Sequence, residues 1–150
     1  MNLRVLYVLS AVFAALVFGS PAEASVPAKA APVVFVQIDI SSQTMSVNVN
    51  GWPYGRWKVS TARVGYHTPR GSWRPFALRK IYFSKKYDNS PMPNSVFFYG
   101  GFAIHGTYYV KYLGRPASHG CVRLAPQNAL ALYELVSKYG MGNTRISIVD

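Results

Sequence analysis

From Val33 onward apolar side chains recur at every second position. Val34, Val36, Ile38 and Ile40 are separated by Phe35, Gln37 and Asp39. After the polar corner Ser41-Ser42-Gln43, Met45, Val47 and Val49 alternate with Thr44, Ser46 and Asn48. A period of two puts the two sets on opposite faces of a strand, so the segment predicts a hairpin with one wet face. Asn50-Gly51 marks the next turn, and RWKVS continues as a third strand with Trp57 and Val59 inward. Residues 62–75 carry two glycines and two prolines and predict a loop or a broken strand. Strand character returns over 76–83, breaks at the polar stretch SKKYDNSPMPN (84–94), which suits a flexible flap, and resumes in SVFFYGGFAIHG.

One segment changes period. In PQNALALYELVSKYG, Ala129, Leu132, Tyr133 and Val136 recur at three- and four-residue spacing, Pro126 suits a first helical turn, and Gly140 suits a left-handed cap. TRISIVD then predicts a last strand burying Ile146 and Ile148. The expected fold is mainly β and mainly antiparallel, with one amphipathic helix packed on the sheet.

The start of the chain has a different grammar. Arg4 precedes an apolar run from Val5, and Ala22-Glu23-Ala24 supplies a small-x-small site, which predicts a signal peptide over residues 1–24. The run is nearer 15 residues than the roughly 20 a spanning helix needs, so no stable membrane span is expected after cleavage. Residues 25–32, SVPAKAAP, predict a mobile linker, and 33–150 a single domain. Charge adds a constraint: 16 basic against 5 acidic residues give +11, and loss of Arg4 and Glu23 with the signal leaves 15 against 4. Such a surface gathers near polyanions. Export turns that expectation from nucleic acid toward wall polymers and peptide carboxylates, in a periplasm or cell wall. Scarce acids argue against carboxylate-pair chemistry of the glycosidase kind.

Cys121 is the single cysteine, so no disulfide within the chain is possible. Three readings compete: a buried inert thiol, a metal ligand with His67, His105 and His119, and a nucleophile. The histidines lack paired ligand spacing, so no metal or other cofactor is expected. Ser118, His119, Gly120 and Arg123 surround the thiol with polar groups and a glycine, which favours the nucleophile. Full deprotonation of a thiol that is a few per cent thiolate at neutral pH adds at most about 2 kcal/mol. One oxyanion donor is worth about 2.7 to 4 kcal/mol, so the main-chain N–H groups at Gly120 and Cys121 are expected to matter as much as the base. From the residues alone His105 and His119 are equal candidates for that base, and His67 is expected at the surface.

IHGT at 104–107 and SHGCVRL at 118–124, with His105 and Cys121 16 residues apart, closely resemble the L,D-transpeptidase (YkuD) catalytic domain. The upstream STARVGYHTPRGSW is similar to a further block of that family. The resemblance covers roughly residues 33–150. It implies a β-sandwich-like fold and a peptidoglycan cross-linking enzyme, with Cys121 as nucleophile and His105 as base. It further implies that Ser118, His119, Gly120 and Gly106 position the reacting groups and shape the oxyanion site. Arg123 and Arg115 suit stem-peptide carboxylates, and Tyr108 and Trp73, with Tyr109 and Tyr112, suit a groove wall. Three departures stand out: STA replaces the usual STG, Ala125-Pro126 replaces the commoner polar helix cap, and Gly106 follows the base where some members have serine, which leaves a backbone carbonyl to orient His105. The partners implied are donor and acceptor stem peptides, and the protein is expected to be a monomer. Rival expectations are a hydrolase using the same thioester, attachment of a lipoprotein to the wall, exchange of a terminal D-amino acid, a non-catalytic wall-binding module, and a membrane-active basic protein.

Overall fold

Period-two segments become strands wherever they can bury one face. The computed structural model describes residues 32–150; the expected signal peptide and residues 25–31 of the expected linker lie outside the described residues. In chain order the strands are β1 (Val34–Asp39), β2 (Thr44–Val49), β3 (Trp52–Lys58), β4 (Gly71–Trp73), β5 (Ala77–Arg79), β6 (Phe83–Ser84) and β7 (Ser90–Pro91). They continue with β8 (Ser95–Tyr99), β9 (Phe102–Gly106), β10 (Val122–Leu124), the helix α1 (Pro126–Tyr139) and β11 (Thr144–Val149). One sheet has the order β3-β2-β1-β11-β4 and the other β10-β9-β8-β5. The short pair β6-β7 stands apart from both.

The hairpin of β1 and β2 buries Val34, Val36, Ile38, Met45 and Val47, the set its alternation selects. The third strand starts at Trp52 rather than Arg56, and a register shift between Val47 and Asn48 accommodates the extra length. Gly71–Trp73 forms a strand inside the Gly/Pro-rich stretch because β11 offers it an edge to pair with. Residues 76–83 keep strand pairing over β5 and, at their end, at Phe83 of β6, and the segment SVFFYGGFAIHG divides at a Gly100-Gly101 turn into β8 and β9.

Six of the eight pairings are antiparallel; β1 with β11 and β9 with β10 run parallel. A parallel neighbour cannot follow through a tight turn, so residues 107–121 leave β9, make a 3₁₀ turn at Val110–Tyr112, and return to lay β10 beside it. α1 packs on β9, β8 and β1. It buries Ala129, Leu132, Leu135 and Val136, while Tyr133 is only half-buried. Leu135 widens the buried stripe on the Leu132 side, and Tyr133, expected in it, borders it on the other. Gly140 ends the helix at φ 90° and ψ 146°, a positive-φ conformation but not the left-handed helical one expected. Leu124, Val122, Ile104 and Val96 of the smaller sheet share one core with α1 and the larger sheet.

Candidate active site

The parallel pairing of β9 with β10 decides which side chains meet. Its register sets Val122 beside Ile104, Arg123 beside His105 and Leu124 beside Gly106. Partners in parallel strands point to the same face, and the face alternates along each strand. Ile104, Val122 and Leu124 are therefore buried in the core. His105, Arg123 and, two residues before it, Cys121 turn to the other face, where they line a cavity of about 370 Å³ with Ser118, His119 and Thr107. Residues that are remote in sequence share this wall because the chain crosses over between the two strands.

His105 is buried, and its Nδ1 lies 2.7 Å from the carbonyl oxygen of Gly106. A carbonyl only accepts, so Nδ1 carries the proton and Nε2 keeps its lone pair. The residue after the histidine thus orients it through the main chain, as expected from the glycine at that position. Burial pushes the imidazole pKa down to about 4; the Gly106 hydrogen bond opposes this and the Arg123 charge adds to it. Cys121 is half-buried, with its sulfur 4.0 Å from the Gly101 carbonyl oxygen. Burial raises its thiol pKa, partly offset by the Ala103 backbone and by Arg123. Both groups are neutral at pH 7, so the cavity wall carries a thiol and a free base rather than a thiolate and an imidazolium. Among the described residues no group of three His, Cys, Asp or Glu side chains is arranged to hold a metal ion.

The loop that presents the cysteine is held by the 60–68 segment. Gly120 sits at φ 131°, and a Cβ there would come 2.5 Å from a Phe102 ring atom and 2.8 Å from the His67 carbonyl oxygen, so only glycine fits. The Gly120 N–H donates to Ser118 Oγ at 2.9 Å. That donor was expected to serve an oxyanion; it is already engaged by the buried serine. Thr68 donates to the Gly120 carbonyl at 2.8 Å and accepts from Ala62 N–H at 3.0 Å. The Thr61 carbonyl accepts from Ala117 and Ser118 N–H, both at 2.9 Å, and Ser60 exchanges backbone bonds with Arg123 at 3.0 and 2.9 Å. Gln43 in turn holds Thr61, accepting from its N–H at 2.9 Å and donating to its hydroxyl at 2.6 Å. Ser60, Thr61, Thr68 and Gln43 received no role from the sequence. The signal available there was the STA and TP block itself, whose polar residues are buried here.

The β6-β7 hairpin forms the opposite wall, where a flap was expected, and contributes Tyr82, Ser84, Lys86 and Tyr87 to the cavity lining. Tyr87 stacks on His119 with ring centroids 4.3 Å apart and planes 10° apart, while Tyr66 meets the same imidazole edge-on at 4.7 Å. His119 therefore contacts the flap, and its pKa is lowered by burial and then by Arg63, Arg123 and Lys86. Tyr108 lines the cavity as expected of a groove residue. Trp73 does not; it packs on Phe98 and Tyr99 at 5.5 and 5.6 Å, because β4 pairs at the far edge of the larger sheet. His67 is exposed, as expected, with its ring 5.7 Å from that of Phe102. Arg115 lines a second groove, with Arg63 and Tyr112, that adjoins the first at Tyr109 and Arg123.

The sequence profile of the L,D-transpeptidase catalytic domain, YkuD, matches residues 34–148. No curated protein sequence matches the chain. Among solved structures it is similar to an L,D-transpeptidase (Yku) from Stackebrandtia nassauensis, at 29% identity and TM-score 0.69 over 82% of this chain and 58% of that one. It is similar to the L,D-transpeptidase of Xylanimonas cellulosilytica at 25% identity and TM-score 0.65, over 81% and 63%. The fold also matches L,D-transpeptidase 3 from Mycobacterium tuberculosis in complex with a faropenem-derived adduct, at 21% identity and TM-score 0.69 over 79% and 61%. The chain spans about three fifths of the length of these structures.

Proposed function

Because the chain belongs to the family of L,D-transpeptidase catalytic domains, we propose that it is an exported cysteine acyltransferase that forms 3-to-3 cross-links between peptidoglycan stem peptides. The observation that carries this reading is the presence of Cys121 and an Nε2-basic His105 on one wall of one cavity. As Cys121 sulfur attacks the carbonyl of the third, diamino-acid residue of a tetrapeptide stem, His105 Nε2 takes the thiol proton. The carbon–nitrogen bond to the terminal D-alanine breaks, and His105 returns the proton to the departing amine, leaving a thioester. An amine of a second stem then attacks the thioester carbonyl. His105 removes a proton from that amine and gives it back to the sulfur as the new amide forms.

With Gly120 N–H held by Ser118, the oxyanion falls to the main-chain N–H of Cys121. Tyr108 and Arg123 contact the donor peptide. Residues 1–24 act as the export signal, which cell fractionation of a tagged full chain tests.

Intact-protein mass after exposure to faropenem tests the nucleophile: the wild type gains one adduct and Cys121→Ala gains none. An adduct on both proteins, or on neither, removes the support for acylation at Cys121. Mass analysis of products from a purified tetrapeptide, with and without an acceptor stem, separates transfer from hydrolysis. A tripeptide as the sole product in the presence of acceptor makes the enzyme a carboxypeptidase instead.

A further inference from the structure

The second groove is basic and has no counter-charge. It measures about 490 Å³ and is lined by Arg63, Arg115, Arg123, Tyr109, Tyr112 and residues 116–117. Each arginine has its guanidinium fixed by something other than an acid. Arg63 lies 5.0 Å over the Tyr66 ring and Arg115 4.8 Å over the Tyr112 ring. Arg123 donates to the Ala117 carbonyl at 3.3 Å. The one ion pair among the described residues, Arg70–Asp150, involves none of them. Burial pushes the Arg123 guanidinium below its ordinary range; Cys121 opposes this and the neighbouring Arg63 adds to it. Three guanidinium forks around one open groove have the chemistry to bind a carboxylate.

The position of the groove identifies the carboxylate. It meets the cysteine cavity at Arg123 and Tyr109 and takes no residue from the flap hairpin. The acyl part of the donor therefore has the flap-covered cavity to itself. When the incoming amine is itself that of a D-amino acid, its attack on the thioester is the departure of D-alanine run backwards, so by microscopic reversibility it occupies the same place. The departing D-alanine carries a carboxylate on the carbon next to its nitrogen, and a second amino acid taking its place carries one too.

We propose that Arg63 and Arg115, with Arg123, form the amine-side subsite of the transfer, binding the α-carboxylate of the leaving D-amino acid and then that of the acceptor. The inference rests on the acyltransferase reading above. It makes the enzyme selective for acceptors with a free carboxylate beside the attacking amine.

The test supplies wild-type enzyme and tetrapeptide donor with D-methionine or with its carboxamide as acceptor and measures both transfer products by mass. The wild type favours the free carboxylate by about tenfold or more, the worth of one charge-assisted hydrogen bond. Both arginines are exposed, so the fold tolerates their loss. In Arg63→Ala/Arg115→Ala the ratio falls to near unity, and lysine at both positions restores part of it. Equal use of the two acceptors by the wild type, or an undiminished ratio in the alanine variant, overturns the subsite. Hydrolysis with no transfer to either amine overturns it as well, while leaving cysteine acylation standing. Absence of any tetrapeptide turnover overturns the acyltransferase reading and the subsite with it.

Discussion

At the scale of single residues, His105 combines burial with a main-chain orienter, and the two act in opposite directions on its charge. Its pKa of about 4 keeps Nε2 unprotonated well below neutrality. The acylation rate of Cys121 by faropenem is therefore expected to stay level from pH 7 down to about pH 5 and to fall only below that. An inflection at the ordinary imidazole value near 6.5 would contradict a buried neutral base. Stability follows the same shift. Between pH 6.5 and 4 the unfolded chain binds a proton at His105 that the folded chain does not, so stability is full above 6.5 and is lost as pH falls through that window. The loss amounts to about 3 kcal/mol. Urea unfolding at a series of pH values checks this, and His105→Gln flattens the slope. Thr68 is a second residue whose role is local and measurable. Thr68→Val keeps shape but leaves the Gly120 carbonyl and the Ala62 N–H without their partner. It is expected to cost about 1 to 3 kcal/mol in chemical denaturation and to slow Cys121 acylation.

Among the elements, the β6-β7 hairpin and the β9-β10 pair divide the work of the cavity. The strand pair is tied into the core through Ile104, Val122 and Leu124, all buried, so the His105–Arg123 register is rigid. The hairpin is two residues wide on each side, and one of its contacts with the cysteine loop is the Tyr87–His119 stack. An aromatic pair contributes about 0.5 to 1.5 kcal/mol beyond its buried area. Tyr87→Ala is accordingly expected to lower the second-order acylation rate by about threefold to tenfold, whereas Tyr87→Phe keeps the ring and most of the rate. Equal losses in both variants would shift the role to the phenol hydroxyl. The alternation of residues 34–49 and the helical spacing of 126–139 made their elements legible, because each buries one face by a local periodic rule. The strand at 71–73 was not legible: three residues carry no period, and only an edge of β11 makes them a strand.

For the molecule as a whole, the excess of cations is the dominant electrostatic fact. The net charge is +11, and a single exposed ion pair engages an acid among the described residues. Attraction of such a surface to an anionic wall polymer is long-ranged and falls as salt shortens the screening length from about 10 Å at 0.1 M toward 3 Å at 1 M. Binding to isolated wall sacculi, measured by co-sedimentation, is expected to weaken severalfold over that range, while faropenem acylation of Cys121 changes little. A salt-independent partition would assign the basic surface to solubility alone. No helix among the described residues is long and apolar enough to cross a membrane.

The sequence by itself determined the β-rich core with one helix, and the IHGT and SHGCVRL blocks identified the expected nucleophile and base. Those properties reside in local periodicity and in residue identity, which survive without a third dimension. Tertiary structure decided the rest, because it depends on which remote segments lie side by side. A parallel crossover set His105 beside Arg123. The buried Ser118 hydroxyl took the Gly120 N–H, and Thr61 and Thr68 anchored the cysteine loop from sequence distances of roughly fifty residues. Trp73 went to the far edge of a sheet because β11, which is distant in sequence, was there to pair with its strand.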